Sequence, residues 1–164
     1  MSVTPIPLAF IEETAQSLGH LPVEDMQALW DDYLRRYPEV LPPLLETLDA
    51  KPGDVMAWTA HCCVLTIRCF EAYYPGRVRV PSFEALEETY QATCRWMASL
   101  GENGPAPEPS RQEPLLAVLS AAALGELEGA PRFGEEDSVE IFHVLKTLVD
   151  LLDAHVEPDT GPAS

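Results

Sequence analysis

The strongest constraint in this chain is a run of twenty residues, Val55 to Tyr74, in which only Thr59, His61, Thr66, Arg68 and Glu71 are not apolar. Pro52 and Gly53 stand before it and Pro75 and Gly76 after it, with Asp54 placed to cap its first turn. Wound as an α-helix, the run is about 30 Å long. A helix that is apolar nearly all round is one surrounded by other elements. Its longest apolar stretch, 55–67, is broken by Thr59, His61 and Thr66 and followed by Arg68, which is too short and too polar to cross a bilayer. The rest of the chain must therefore supply helices that wrap this one.

Proline and glycine punctuation marks those helices. Pro5 and Pro7 precede a seam of Leu8, Ile11, Ala15 and Leu18 that Gly19 ends, which predicts a first helix over about residues 7–18. Pro22 opens a second, with Val23, Met26, Trp30, Tyr33 and Tyr37 in register before Pro38. A third starts near Leu41, with Pro42 and Pro43 tolerated in its first turn, and runs toward Ala50. Residues 77–80 alternate charged and apolar side chains, as a short extended connector does. Ser82 caps a fifth helix with a core seam of Phe83, Leu86, Tyr90, Cys94, Met97 and Leu100, ended by Gly101.

The stretch 101–112 holds three prolines and two glycines with no periodic apolar residue, and reads as a surface loop. Pro114 then opens a sixth helix that runs through Leu127 to Gly129. Asp137 and Glu140 have the spacing of a capping box for the last helix. That helix carries two seams offset by one residue: Phe142, Leu145, Val149, Leu152 and Val156, and Ile141, Val144, Leu148, Leu151 and His155. Such a wide apolar face must pack between two neighbours or against a second copy of the chain. The expected fold is all-α, a compact antiparallel bundle of six or seven helices. Residues 1–156 form a single helical domain in this reading, and 157–164 a flexible tail.

Charge narrows the partners. The chain carries 27 acidic against 10 basic residues, a formal net charge of -17. That field repels phosphate backbones and anionic membranes and favours a basic protein partner, so no direct nucleic acid and no membrane are expected. The first ten residues contain no Lys or Arg and no long apolar core, unlike a signal peptide, and a cytoplasmic chain is the expectation. Cys62 and Cys63 point about 100° apart on a helix, and Cys62 and Cys69 lie about 10.5 Å apart along it, so neither pair suits a disulfide. Reduced, buried thiols follow. Neither the spacing of His61, Cys62, Cys63, Cys69 and Cys94 nor any nucleotide or protease motif implies a metal or a cofactor.

Three candidate sites remain. Trp58, His61, Arg68 and Glu71 share the central helix and outline an inter-helix pocket for an anionic ligand, with Arg68 as counter-charge and His61 as proton carrier. Against this, Arg68 and Glu71 at i, i+3 can simply pair with each other. The loop residues Tyr73, Tyr74, Arg77 and Arg79 combine aromatics with two of the few cations, the composition that interface hot spots favour; their plainer role is a connector covering the core. The third is the acidic stretch from Glu126 to Asp159, ten acids against Arg132 and Lys146, which can imitate a nucleic-acid backbone for a basic partner or serve solubility alone. Trp30, Tyr33 and Trp96 read as exposed aromatics and, with the wide last helix, imply a homodimer. His143, beside Glu140 on a polar face, reads as solvated. The function expected is a non-enzymatic interaction module: an adaptor, assembly chaperone or inhibitor. A small-molecule binder or enzyme at His61 and Arg68 is the first alternative and an acidic mimic the second.

Overall fold

The computed structural model describes residues 3–99, 110–127 and 129–158. Among them are seven helices, α1 (Leu8–Gly19), α2 (Val23–Arg36), α3 (Leu41–Glu46), α4 (Gly53–Tyr73), α5 (Phe83–Ser99), α6 (Glu113–Ala123) and α7 (Glu135–Ala154). The fold is an all-α bundle. Residues 101–109 of the expected surface loop, Leu100 and Gly101 at the end of the fifth helix, and 159–164 of the expected tail lie outside the described residues.

α4 sits at the centre, touching α1, α2, α6 and α7. Ten of its residues are buried, and the two threonines among them bond back within the helix: Thr59 Oγ1 donates to the Val55 carbonyl at 2.7 Å and Thr66 Oγ1 to the Cys62 carbonyl at 2.8 Å. These bonds let a central helix carry polar side chains without orphaned hydroxyls. α1 and α6 run antiparallel to α4, as Phe10 against Tyr73 and Trp58 against Ala122 indicate, while α5 lies on α7 with Tyr90 against His143 and Trp96 against Phe142. α2 and α7 share its direction: Arg36 meets Glu71, and the chain beyond α7 meets the chain beyond α4.

The wide face of α7 is filled from within the chain. Ile141, Val144, Leu145, Leu148, Val149, Leu151 and Leu152 are all fully buried, because α4, α5 and α6 together cover both seams. The wide face of α7 therefore gives no ground for the expected homodimer. Tyr33, expected outside, is also buried in the core, while Trp30 is half-buried against it. No helix among the described residues is long and apolar enough to cross a membrane.

Element ends differ from the sequence reading where a local signal had a competitor. α6 stops at Ala123, not Leu127, because Gly125 takes a left-handed φ of 71° and the Glu126 N–H bonds back to the Ala121 carbonyl at 2.9 Å. Leu124 and Leu127 are consequently exposed. α7 begins at Glu135 with Gly134 as its cap, so Asp137 and Glu140 lie inside the helix. They hold Lys51 at 3.1 and 3.0 Å, pinning the segment between α3 and α4. α3 ends at Glu46, four residues early. Ser82 caps α5 as its sequence indicates, its Oγ accepting from the Ala85 N–H at 3.2 Å.

Candidate functional site

An open apolar groove of about 570 Å³ runs between α2 and α4, with α3 at one side. Val23, Met26 and Trp30 line it from α2, Met56, Ala57 and Ala60 from α4. The groove exists because alanines occupy the α4 face that meets α2; methyl groups are too short to fill the space that the neighbouring Met and Trp leave open. Pro22 fixes the start of α2, and Val23 is left 85% exposed at the mouth. Glu24 and Asp25 stand in the first turn of α2 and Asp54 in that of α4, all exposed and none in an ion pair among the described residues.

Trp58, His61, Arg68 and Glu71 are not brought to one pocket. His61 lines the groove, half-buried, and its ring stacks on Trp58 with centroids 5.4 Å apart. Burial holds its pKa below the ordinary histidine value, so the imidazole is neutral near pH 7. Trp58 turns the other way, its Nε1 donating to the Ala122 carbonyl at 3.1 Å to fix α6 against α4. Arg68 is exposed and lines a separate depression of about 200 Å³ with Phe10, Leu18 and Leu21. The expected Arg68–Glu71 pair does not form. Glu71 faces α2 instead, where the Arg36 guanidinium grips both oxygens at 2.6 and 2.7 Å and the Tyr37 hydroxyl donates at 2.7 Å. A two-pronged guanidinium clamp outcompetes a single contact on the same helix.

The tyrosine and arginine loop is built into the fold. Tyr73 packs edge-on against Phe10 at 5.1 Å, and Tyr74 is fully buried, its hydroxyl donating to the Thr4 carbonyl. Arg77 lies over the Tyr74 ring and donates from Nε to the Glu157 carbonyl at 2.8 Å. Arg79 is exposed beside Glu157 at 3.5 Å, and its N–H donates to the His155 carbonyl at 2.9 Å. Residues 77–79 thus pair with the chain just past α7, the start of the expected tail, rather than project as a recognition loop.

The acidic C-terminal third is largely spoken for as well. Glu136, Asp137 and Glu140 surround Lys51, Asp150 holds Lys146, Asp153 holds Arg111, and Glu157 meets Arg79. Glu128 and Asp159 lie outside the described residues.

Two polar centres escaped the sequence reading. Gln112, placed in the expected loop, is fully buried: its Oε1 accepts from the Ile6 N–H at 3.1 Å, and its Nε2 donates to the Tyr74 hydroxyl and to Asp153 Oδ1, each at 2.9 Å. It joins four segments, and no local pattern marks such a hub. His143 is half-buried between α7 and α5, not solvated, with its ring stacked on Tyr90 at 4.5 Å. The i, i+3 spacing of His143 to Glu140 drew attention to the helix's own face, whereas α5 covers that face.

Fold and groove together define an all-helical protein with an open apolar cleft between α2 and α4. Neither protein-family models, curated proteins nor solved structures give a match to this chain.

Proposed function

We propose that the protein is a non-enzymatic, cytoplasmic interaction module whose α2–α4 groove receives an amphipathic segment of a basic protein. The observation that carries this reading is the groove: exposed Val23, with Met26, Trp30, Met56 and the alanines of α4, offers the i, i+3, i+4 anchors of a partner helix a continuous apolar floor. Exposed Glu24, Asp25 and Asp54, next in sequence to the lining residues Val23 and Gly53, favour cationic flanks on that segment. An adaptor, an assembly chaperone or an inhibitor would each use such a surface.

This reading is preferred over a pocket for an anionic ligand because His61 and Arg68 line different depressions, and over nucleic-acid mimicry because six C-terminal carboxylates are engaged by the chain's own cations. The test is a titration of a designed Leu and Lys amphipathic helix against the protein, read by calorimetry. The expected result is saturable binding that weakens with salt and is lost in Val23→Glu/Ala57→Glu, two exposed positions whose substitution leaves folding intact. Equal binding by the variant, or none by either protein, overturns the reading.

A further inference from the structure

Three of the four cysteines belong to the core. Cys62, Cys63 and Cys69 are fully buried in α4, and burial pushes the thiols of Cys62 and Cys69 up to about 12 and that of Cys63 higher still. Thiols so placed neither ionise nor meet a reagent. Cys94 differs in its access to solvent. It lies half-buried on α5, the helix that packs chiefly on α7 alone, and its Sγ is 3.5 Å from Nε2 of His143.

The imidazole is held in place by α5. Tyr90, one turn before Cys94, stacks on it at 4.5 Å with the rings 14° from parallel. Partial burial keeps the imidazole below its ordinary pKa, so near pH 7 it is an unprotonated base facing a thiol. The groups that face it are few. From α5 these are the Cys94 thiol, the Tyr90 phenol, kept protonated by burial, and the Tyr90 backbone carbonyl, which favours the protonated ring. From α7 itself, Glu140 favours the imidazolium and Lys146 opposes it; Glu140 is in turn held by Lys51 at 3.0 Å, and Lys146 by Asp150.

We propose that Cys94 and His143 form a nucleophilic thiol–imidazole pair, and that Cys94 is the site at which this protein takes up a small disulfide to form a mixed disulfide. Near neutral pH a neighbouring base is what turns a thiol into a nucleophile. In the step, the thiol proton passes to His143 Nε2 as Sγ attacks one sulfur of the reagent. The new S–S bond forms as the reagent's S–S bond breaks, and the departing thiolate takes the proton from the imidazolium. One small disulfide and one protein thiol become one mixed disulfide and one small thiol: Cys94 is oxidised, the leaving half of the reagent is reduced, and no other reactant is needed. The chain's net charge of -17 favours cationic and neutral disulfides over anionic ones. This site is independent of the α2–α4 groove.

The experiment is the pH–rate profile of the folded protein with cystamine, a dicationic disulfide, with the adduct located by peptide mass spectrometry. The expected profile has two steps, the first on the acid side of the ordinary histidine value, where the imidazole becomes able to accept the proton, and the second where the thiol ionises unaided. A lone thiol gives the second step only. One adduct is expected, on Cys94, and none in Cys94→Ser. His143→Gln should slow the reaction at least about tenfold at neutral pH, the effect of one unit of coupling between thiol and imidazole, and match the parent in alkali, where the base is dispensable. A single-step profile, an adduct on Cys62, Cys63 or Cys69, or equal slowing at both pH values overturns the proposal. The profile of the unmodified sequence decides the matter even where His143→Gln fails to fold.

Discussion

α4 and α5 are both long helices that carry cysteine, the first apolar nearly all round and the second along one seam, and they end in opposite situations. α4 is enclosed by four helices and buries ten residues; α5 leans chiefly on α7 and buries only Leu86 and Thr93. Tyr90, Cys94 and Met97 on the α5 seam stay half-exposed, and Phe83 is exposed. The lesson is that an apolar stripe says which way a helix faces, while the number of neighbours says how dry that face becomes. The cysteines follow. Those of α4 are inert packing, and the one on α5 keeps a water-accessible edge and a histidine.

The sharpest way to break this contrast is to truncate inside α4. Phe70 is fully buried among the bundle's helices, and Phe70→Ala should destabilise the protein by about 3–5 kcal/mol in urea unfolding, whereas Met97→Ala on α5 should cost clearly less. Equal losses would mean that α5 is as enclosed as α4. A smaller effect is expected at the end of α4. Gln112→Ala strips the partners from the Ile6 N–H and leaves the Tyr74 hydroxyl and Asp153 short of a donor, for a loss of about 1–3 kcal/mol. No comparable clamp ties α5 among the described residues.

Two of the half-buried histidines, His61 on α4 and His143 facing α5, extend the contrast to pH. Burial depresses both His61 and His143. The unfolded chain therefore binds protons that the folded chain refuses, and stability present above the unfolded histidine pKa of about 6.5 is lost as pH falls through the folded values. His61→Gln and His143→Gln should each flatten the fall in unfolding free energy on the acid side of pH 6.5, and unchanged slopes would place both rings in water. The smallest effect belongs to the outer face of α5. Glu87 is exposed there, and Glu87→Gln should shift the unfolding free energy by no more than about 0.5 kcal/mol.

The sequence was legible wherever a local signal had no rival. The central helix, the Ser82 cap and the start of α2 after Pro22 all follow from neighbouring residues alone. The end of α6 was misread because Gly125 and Gly129 both fit a helix stop, and the nearer one, free to adopt positive φ, closes the helix first. Asp137 and Glu140 fit a capping box, yet their partner is a lysine more than eighty residues away in sequence. Of the candidate site residues, only His61 lines the groove, and the α2 wall with Val23, Met26 and Trp30 was read only as a helical register. The open width between α2 and α4 depends on how alanines on one helix face large side chains on another, which no spacing within either helix expresses.

By itself, the sequence determined that this chain is helical, where most of its helices begin, and that the segment from Val55 to Tyr74 lies at the centre, because these depend on propensity, punctuation and periodicity over a few turns. Tertiary structure decided everything that joins distant segments. It turned Glu71 to Arg36 and sealed Tyr74 beneath Gln112; it also covered the wide face of α7, left a groove beside α4 and set Cys94 against His143. Each of these contacts pairs groups from different helices, so each depends on how the helices pack rather than on any local pattern.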